Sequence, residues 1–180
     1  MHILLFGTSN VGKSTTARVL AQKLGYTCVD MDEEVKKRLH TTLEIFTKTG
    51  TLKDRDKIRC SILGSVLSQK HNVVMAITPI AYTQYLMHYL AMPDVLAIEL
   101  QDTPENIFDR LVFSDENDRV YTDDTYKNKY KSYYIREIQK DILAYAYPFR
   151  FITNKFRMNG DSPEDVADRL ISTYGLKTEA

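Results

Sequence analysis

Cysteine is scarce in this chain. Cys28 and Cys60 are its two thiols in 180 residues, too few for a disulfide framework and without metal-ligand spacing, which fits a reducing compartment. Neither sign of charge prevails: Lys plus Arg and Asp plus Glu both number 24, so no global basic field draws the chain to nucleic acid or an anionic membrane. No apolar run reaches membrane length, and no charged leader with a cleavage site precedes the first strand. Repeats, low-complexity tracts and linkers are absent as well, so one domain over residues 1–180 is the simplest organisation. A hydrophobic content of 43% with 27% charged residues is ordinary for a globular domain. The expectation is a cytoplasmic monomer without membrane or nucleic-acid partners.

What is present begins at the N-terminus. Gly7-Thr8-Ser9-Asn10-Val11-Gly12-Lys13-Ser14 meets the G-x-x-x-x-G-K-[ST] phosphate-loop pattern. The apolar run Ile3 to Phe6 precedes it, and Ala17, Leu20, Ala21 and Leu24 lie on one helical face behind it. Strand, loop and helix therefore arrive in the order this loop needs, with backbone N–H groups and a helix N-terminus converging on phosphate oxygens. Residues Gly7 to Thr15 are the expected nucleotide contacts. Lys13 reaches the terminal phosphates, and the Ser14 hydroxyl joins a Mg²⁺ shell.

A second informative stretch is Asp30-Met31-Asp32, at the end of the β-prone run Tyr26 to Val29. Two carboxylates one residue apart at a strand end point the same way, where ligands collect in a parallel sheet. Asp30 then suits Mg²⁺ or its waters, and Asp32 suits a substrate hydroxyl. The competing interpretation is an acidic first turn of a helix, favoured by its dipole.

The spacing predicts helices over Asp32 to Leu39, Thr42 to Lys48 and Leu52 to Gln69, with Thr41 and Glu44 as a capping box and Ile58, Ile62 and Val66 as the stripe of the third. Lys53, in the polar first turns of that helix, is a candidate anion ligand. Val73 to Ile77 reads as a central strand, Ala81 to Ala91 as a helix, Val95 to Leu100 as a strand and Pro104 to Phe113 as a helix behind Thr103. Ser114 to Thr125 is polar and carries Arg119, the makings of a lid that closes over a nucleotide. Tyr126 to Ala146 reads as one helix with a core-facing tyrosine stripe, in preference to a surface that stacks bases between lysines. Arg136 on it is a candidate for a closed site. A last strand at Phe156 to Met158 and a helix opening at Ser162-Pro163 complete an α/β chain with a five-stranded parallel sheet, the P-loop NTPase fold with a mobile lid.

On these residues the chain resembles the shikimate kinase family of small P-loop kinases, over nearly its whole length. The family's Asp-x-Asp falls on Asp30 and Asp32, which implies a Mg²⁺ role for the first and binding of the acceptor hydroxyl for the second. Its Phe-Arg-x-x-Glu falls on Leu52-Lys53-Asp54-Arg55-Asp56, with lysine where the family's arginine grips the shikimate carboxylate, a point charge in place of a fork. Its glycine triplet is replaced by Ile77, Thr78 and Pro79, which fill space and remove a donor. Arg119 corresponds to the lid arginine, and Arg136 is the candidate for a second substrate arginine in the helix after the lid. Gly160-Asp161-Ser162-Pro163-Glu164 is similar to the adenine-side loop. The resemblance implies ATP, Mg²⁺ and γ-phosphoryl transfer to a hydroxyl of a small metabolite, with Lys13, Asp32 and Arg119 catalytic and Asp32, Lys53, Thr78 and Arg136 around the acceptor. Two alternatives stay open: a same-fold kinase for a sugar acid, nucleoside or nucleic-acid end, and a nucleotide-binding module without catalysis.

Overall fold

The computed structural model of the chain describes residues 1–113 and 121–178. In chain order these form β1 (His2–Phe6), α1 (Lys13–Leu24), β2 (Thr27–Asp30), α2 (Met31–Leu39), α3 (Leu43–Lys48), α4 (Leu52–Leu67), β3 (Val73–Ala76), α5 (Met87–Leu90), β4 (Val95–Gln101), α6 (Pro104–Asp109), α7 (Thr125–Lys129), α8 (Lys131–Ala146), β5 (Asn154–Arg157) and α9 (Pro163–Tyr174). The strands pair in parallel in the order β2-β3-β1-β4-β5. This is the expected five-stranded sheet, with β1 at its centre and helices on both faces. The order of neighbours reverses at β1, so the loop behind it opens at the switch point where open α/β sheets bind ligands.

Alternation along β1 builds both halves of the core. Ile3 and Leu5 join Leu20, Leu24, Ile98, Val166 and Leu170 on one face, whereas Leu4 and Phe6 join Val35, Leu63, Val66, Met75 and Phe149 on the other. Both faces of a central parallel strand are covered, so its five residues are all buried. The expected α1 stripe of Ala17, Leu20, Ala21 and Leu24 is buried against them, and Gly25 ends the helix at φ 72°.

Several expectations require correction. In α4 Ile58 is exposed, while Asp56, Arg59 and Cys60 are buried, because a buried ion pair displaces the apolar stripe by part of a turn. The cap of α3 is Thr42, not Thr41, and the capping box belongs to Thr51 and Asp54 at the start of α4. Residues 81–91 form a short 3₁₀ turn and the four-residue α5. Helix α6 stops at Asp109. The tyrosine helix breaks at Tyr130 into α7 and α8, and its tyrosines are not a core stripe: Tyr126, Tyr130 and Tyr133 are exposed, with Tyr134 alone of the four packed against the core. They stack on one another and on Phe113 and Tyr121 instead. Aromatic rings satisfy each other edge to face at a surface without needing the interior. Most of the expected lid, with Arg119, lies outside the described residues.

Candidate active site

The loop from Gly7 to Gly12 turns because two glycines and an asparagine adopt positive φ: Gly7 at 145°, Asn10 at 61° and Gly12 at 109°. A Cβ on Gly7 would stand 2.7 Å from the Leu100 carbonyl oxygen and 2.8 Å from Val11 Cγ1, closer than real contacts allow. Val11 is fully buried and pegs the loop into the core. Gly12 is the N-cap of α1 and supplies no side chain to its first turn, which leaves the first-turn amides of that helix open to an anion.

Lys13 folds back over this cradle. Its Nζ donates to the carbonyls of Gly7 at 3.0 Å and Thr8 at 2.7 Å. Burial lowers its ammonium to about 8, with the Asp32 and Asp30 carboxylates pulling the other way. Ser14 Oγ donates to Asp30 Oδ2 at 2.5 Å. Asp30 also caps α2, because its Oδ1 accepts the amides of Asp32 at 2.9 Å and Glu33 at 3.4 Å. Oδ1 of Asp30 thus serves the helix turn, while its Oδ2 stands beside Ser14. Across the cleft, Thr78 Oγ1 donates to Asp32 Oδ1 at 2.6 Å.

These groups line one cavity of about 780 Å³, large enough for a nucleotide and part of a second substrate. Ser9, Asn10, Gly12, Lys13, Ser14 and Thr15 form its floor, and Asp30, Asp32, Ile77, Thr78 and Pro79 one wall. Gly7, Thr8 and Val11, also expected as nucleotide contacts, are not among the residues that line it. Lys53 and Arg136 are exposed and are not among the residues that line the cavity.

The opposite wall holds a residue that the sequence did not single out. Arg110 lines the cavity with Met158, Gly160, Asp161 and Pro163, held by Asp102 Oδ2 at 2.5 Å. Asp102 also accepts from Asn106 Nδ2 at 2.7 Å and from the Gly160 amide at 3.2 Å. Burial pushes the Asp102 carboxyl up, but the bonds from Asn106, Arg110 and Thr103 outweigh it and hold the group below the usual carboxylate range. The available signal was position, since an aspartate just past a central parallel strand sits where ligands collect. Thr16 was also missed: it is fully buried, lines the same cavity, and its Oγ1 has no hydrogen-bond partner among the described residues.

A hard cation fits the donor set at the loop. Ser14 Oγ and Asp30 Oδ2 are adjacent oxygens, and among the described residues no cluster of three or more His, Cys, Asp or Glu could cage a metal. Two oxygen donors would leave the rest of such a cation's shell to water and phosphate oxygens. No helix among the described residues is long and apolar enough to cross a membrane.

Comparison with known proteins agrees with this geometry. The family model described as shikimate kinase matches residues 9–174. A shikimate kinase of Thermodesulfovibrio yellowstonii is 26% identical over 175 residues, covering 96% of this chain and 94% of that protein. One from Thermosynechococcus vestitus is 39% identical over 74 residues, 41% of this chain and 40% of that protein, so this alignment spans only two fifths of either. The crystal structure of shikimate kinase from Bacteroides thetaiotaomicron superposes with a TM-score of 0.76 at 20% identity, covering 98% of this chain and 99% of that one. With the phosphate loop, the paired aspartates and the strand order in place, the family match across almost the entire length means that this chain belongs to the shikimate kinase family.

Proposed function

We propose that the protein is an ATP-dependent phosphotransferase that moves the γ-phosphoryl group to a hydroxyl of a small metabolite in the cytoplasm, with shikimate the leading acceptor. The observation that carries this reading is the meeting of Lys13, Ser14, Asp30, Asp32 and Thr78 on one cavity at the carboxyl end of the sheet. The open amides of α1 and the Lys13 ammonium hold the phosphates, and Lys13 leaves its two loop carbonyls to do so. Ser14 and Asp30 would hold Mg²⁺, which would supply positive charge to offset that of the phosphates. Asp32 accepts the hydrogen bond of the acceptor hydroxyl and aligns it for in-line attack. Arg110 and Pro163 face the far end of the cavity and bound the base of the nucleotide. Arg119 completes the set from the lid, adding positive charge to the transferring group.

Acceptor identity rests on fewer residues. Lys53 and Arg136 are assigned to a carboxylate-bearing acceptor by resemblance, yet both stand exposed and off the cavity wall. Together with Thr78-Pro79 in the place of glycines, this favours a second reading, a kinase of the same fold for another hydroxylated acceptor. A coupled assay of ADP release with shikimate, gluconate, nucleosides and short oligonucleotides separates them. Turnover with shikimate alone supports the leading acceptor, turnover with another compound the second reading, and nucleotide binding without turnover on any acceptor overturns both.

A further inference from the structure

The segment behind β3 is held at both ends by carboxylates. At its start, the Ile77 amide continues the ladder to the Leu5 carbonyl at 2.9 Å, and Thr78 Oγ1 reaches Asp32 Oδ1 at 2.6 Å. Pro79 follows with its φ fixed and no N–H to donate, and Ile80 is fully buried. At its end, Asp56 Oδ2 accepts two successive amides, Ala81 at 2.9 Å and Tyr82 at 3.1 Å. Asp56 is wholly buried, and its other oxygen pairs with Arg59 Nη1 at 3.0 Å. Arg59 in turn lies 5.2 Å from the centre of the Phe46 ring. A buried ion pair of this kind is better suited to holding a geometry than to adding stability. Here it fixes the Ala81 and Tyr82 amides, at the far end of the segment that begins with Thr78.

Thr78 is thus a β-branched residue on a braced loop, with its hydroxyl aimed at the carboxylate expected to receive the acceptor hydroxyl. Asp32 is pinned twice, by its amide to Asp30 Oδ1 at 2.9 Å and by its Oδ1 to Thr78. Its Oδ2 has no hydrogen bond among the described residues and remains for the substrate. We infer that Thr78 is a positioning residue for Asp32, holding one carboxylate oxygen so that the other is presented to the acceptor, and that the Asp56 clamp keeps Thr78 in that place. This rests on the phosphotransfer reading and adds to it a role for a residue that replaces a glycine. A glycine at this position offers no hydroxyl, so the acceptor wall of this chain is organised by a side chain.

The test compares Thr78→Val, which keeps the shape and removes the hydroxyl, with Thr78→Ser, which restores it. With whichever acceptor the wild type uses, T78V is expected to lower kcat about tenfold while the KM for ATP stays within about twofold, and T78S to recover most of kcat. A second measurement needs no acceptor: the Asp32 side-chain carboxyl carbon resonance in the free, folded protein should move in T78V and return in T78S. T78V turning over like the wild type, T78S as slow as T78V, or an unmoved Asp32 resonance overturns the inference. A wild type that turns over no acceptor overturns the kinase reading instead, and the resonance alone then decides whether Thr78 holds Asp32.

Discussion

Raising the pH from 7 to 9 should weaken ATP binding about tenfold, and Lys13 is the reason. In the free protein burial brings its ammonium down to about 8, so at pH 9 roughly nine tenths of the molecules carry it neutral. Bound phosphates favour the charged form, and binding at pH 9 must then take up a proton that is already in place at pH 7. The apparent affinity should be nearly flat below pH 7.5 and fall toward one decade per pH unit above 8, about 1.4 kcal/mol per decade. The nucleotide's own phosphate titrates near 6, outside this window. Calorimetric titration of Mg-ATP at pH 7, 8 and 9 in two buffers of different ionisation enthalpy measures both the affinity and the proton uptake. Lys13→Arg is the control, because a guanidinium stays charged throughout. A wild-type affinity that is flat from pH 7 to 9, or one that falls equally in K13R, would refute the reasoning.

The same burial has a consequence for stability. The folded-state value lies below the unfolded 10.5, so the penalty is fully present below about pH 8 and fades as pH rises toward 10.5. Lys13→Met should stabilise the free protein at pH 7 by about 2 kcal/mol after solvent screening of a half-buried group, while abolishing turnover; thermal unfolding at pH 7 and 10 reads the difference. Gly7→Ala forces a Cβ into the Leu100 carbonyl at a φ that alanine resists and should cost about 2–4 kcal/mol in urea unfolding, with loss of nucleotide binding. Asp56→Asn leaves Arg59 buried without its partner and should cost about 3–5 kcal/mol, part of which returns when Arg59→Met is added.

How much of this was legible in the sequence follows from how local each signal is. The phosphate loop, the two aspartates behind β2 and the caps at Thr103 and Ser162 were readable because short-range backbone geometry dictates them: a glycine where φ must be positive, a hydroxyl one residue before a helix. The parallel sheet was readable from apolar runs separated by amphipathic helices. The acceptor wall was not. In the sequence Asp56 is one charged position among several in Leu52 to Asp56, and only the return of the chain at Ala81 and Tyr82 gives its carboxylate two amides to accept. The tyrosines of α7 and α8 have helical spacing, but spacing does not say whether a ring meets the core or another ring, and here Phe113 and Tyr121 arrive from elsewhere to stack with them.

By itself, then, the sequence determined the nucleotide half of this protein, since a loop of eight residues carries its own geometry and its helix dipole wherever the chain goes. Tertiary structure alone decided the acceptor half. Asp32, Thr78 and Asp56 are far apart along the chain, and the bonds from Thr78 to Asp32 and from the Ala81 and Tyr82 amides to Asp56 exist only after β2, β3 and α4 have packed, when each carboxylate meets donors that the local sequence does not supply.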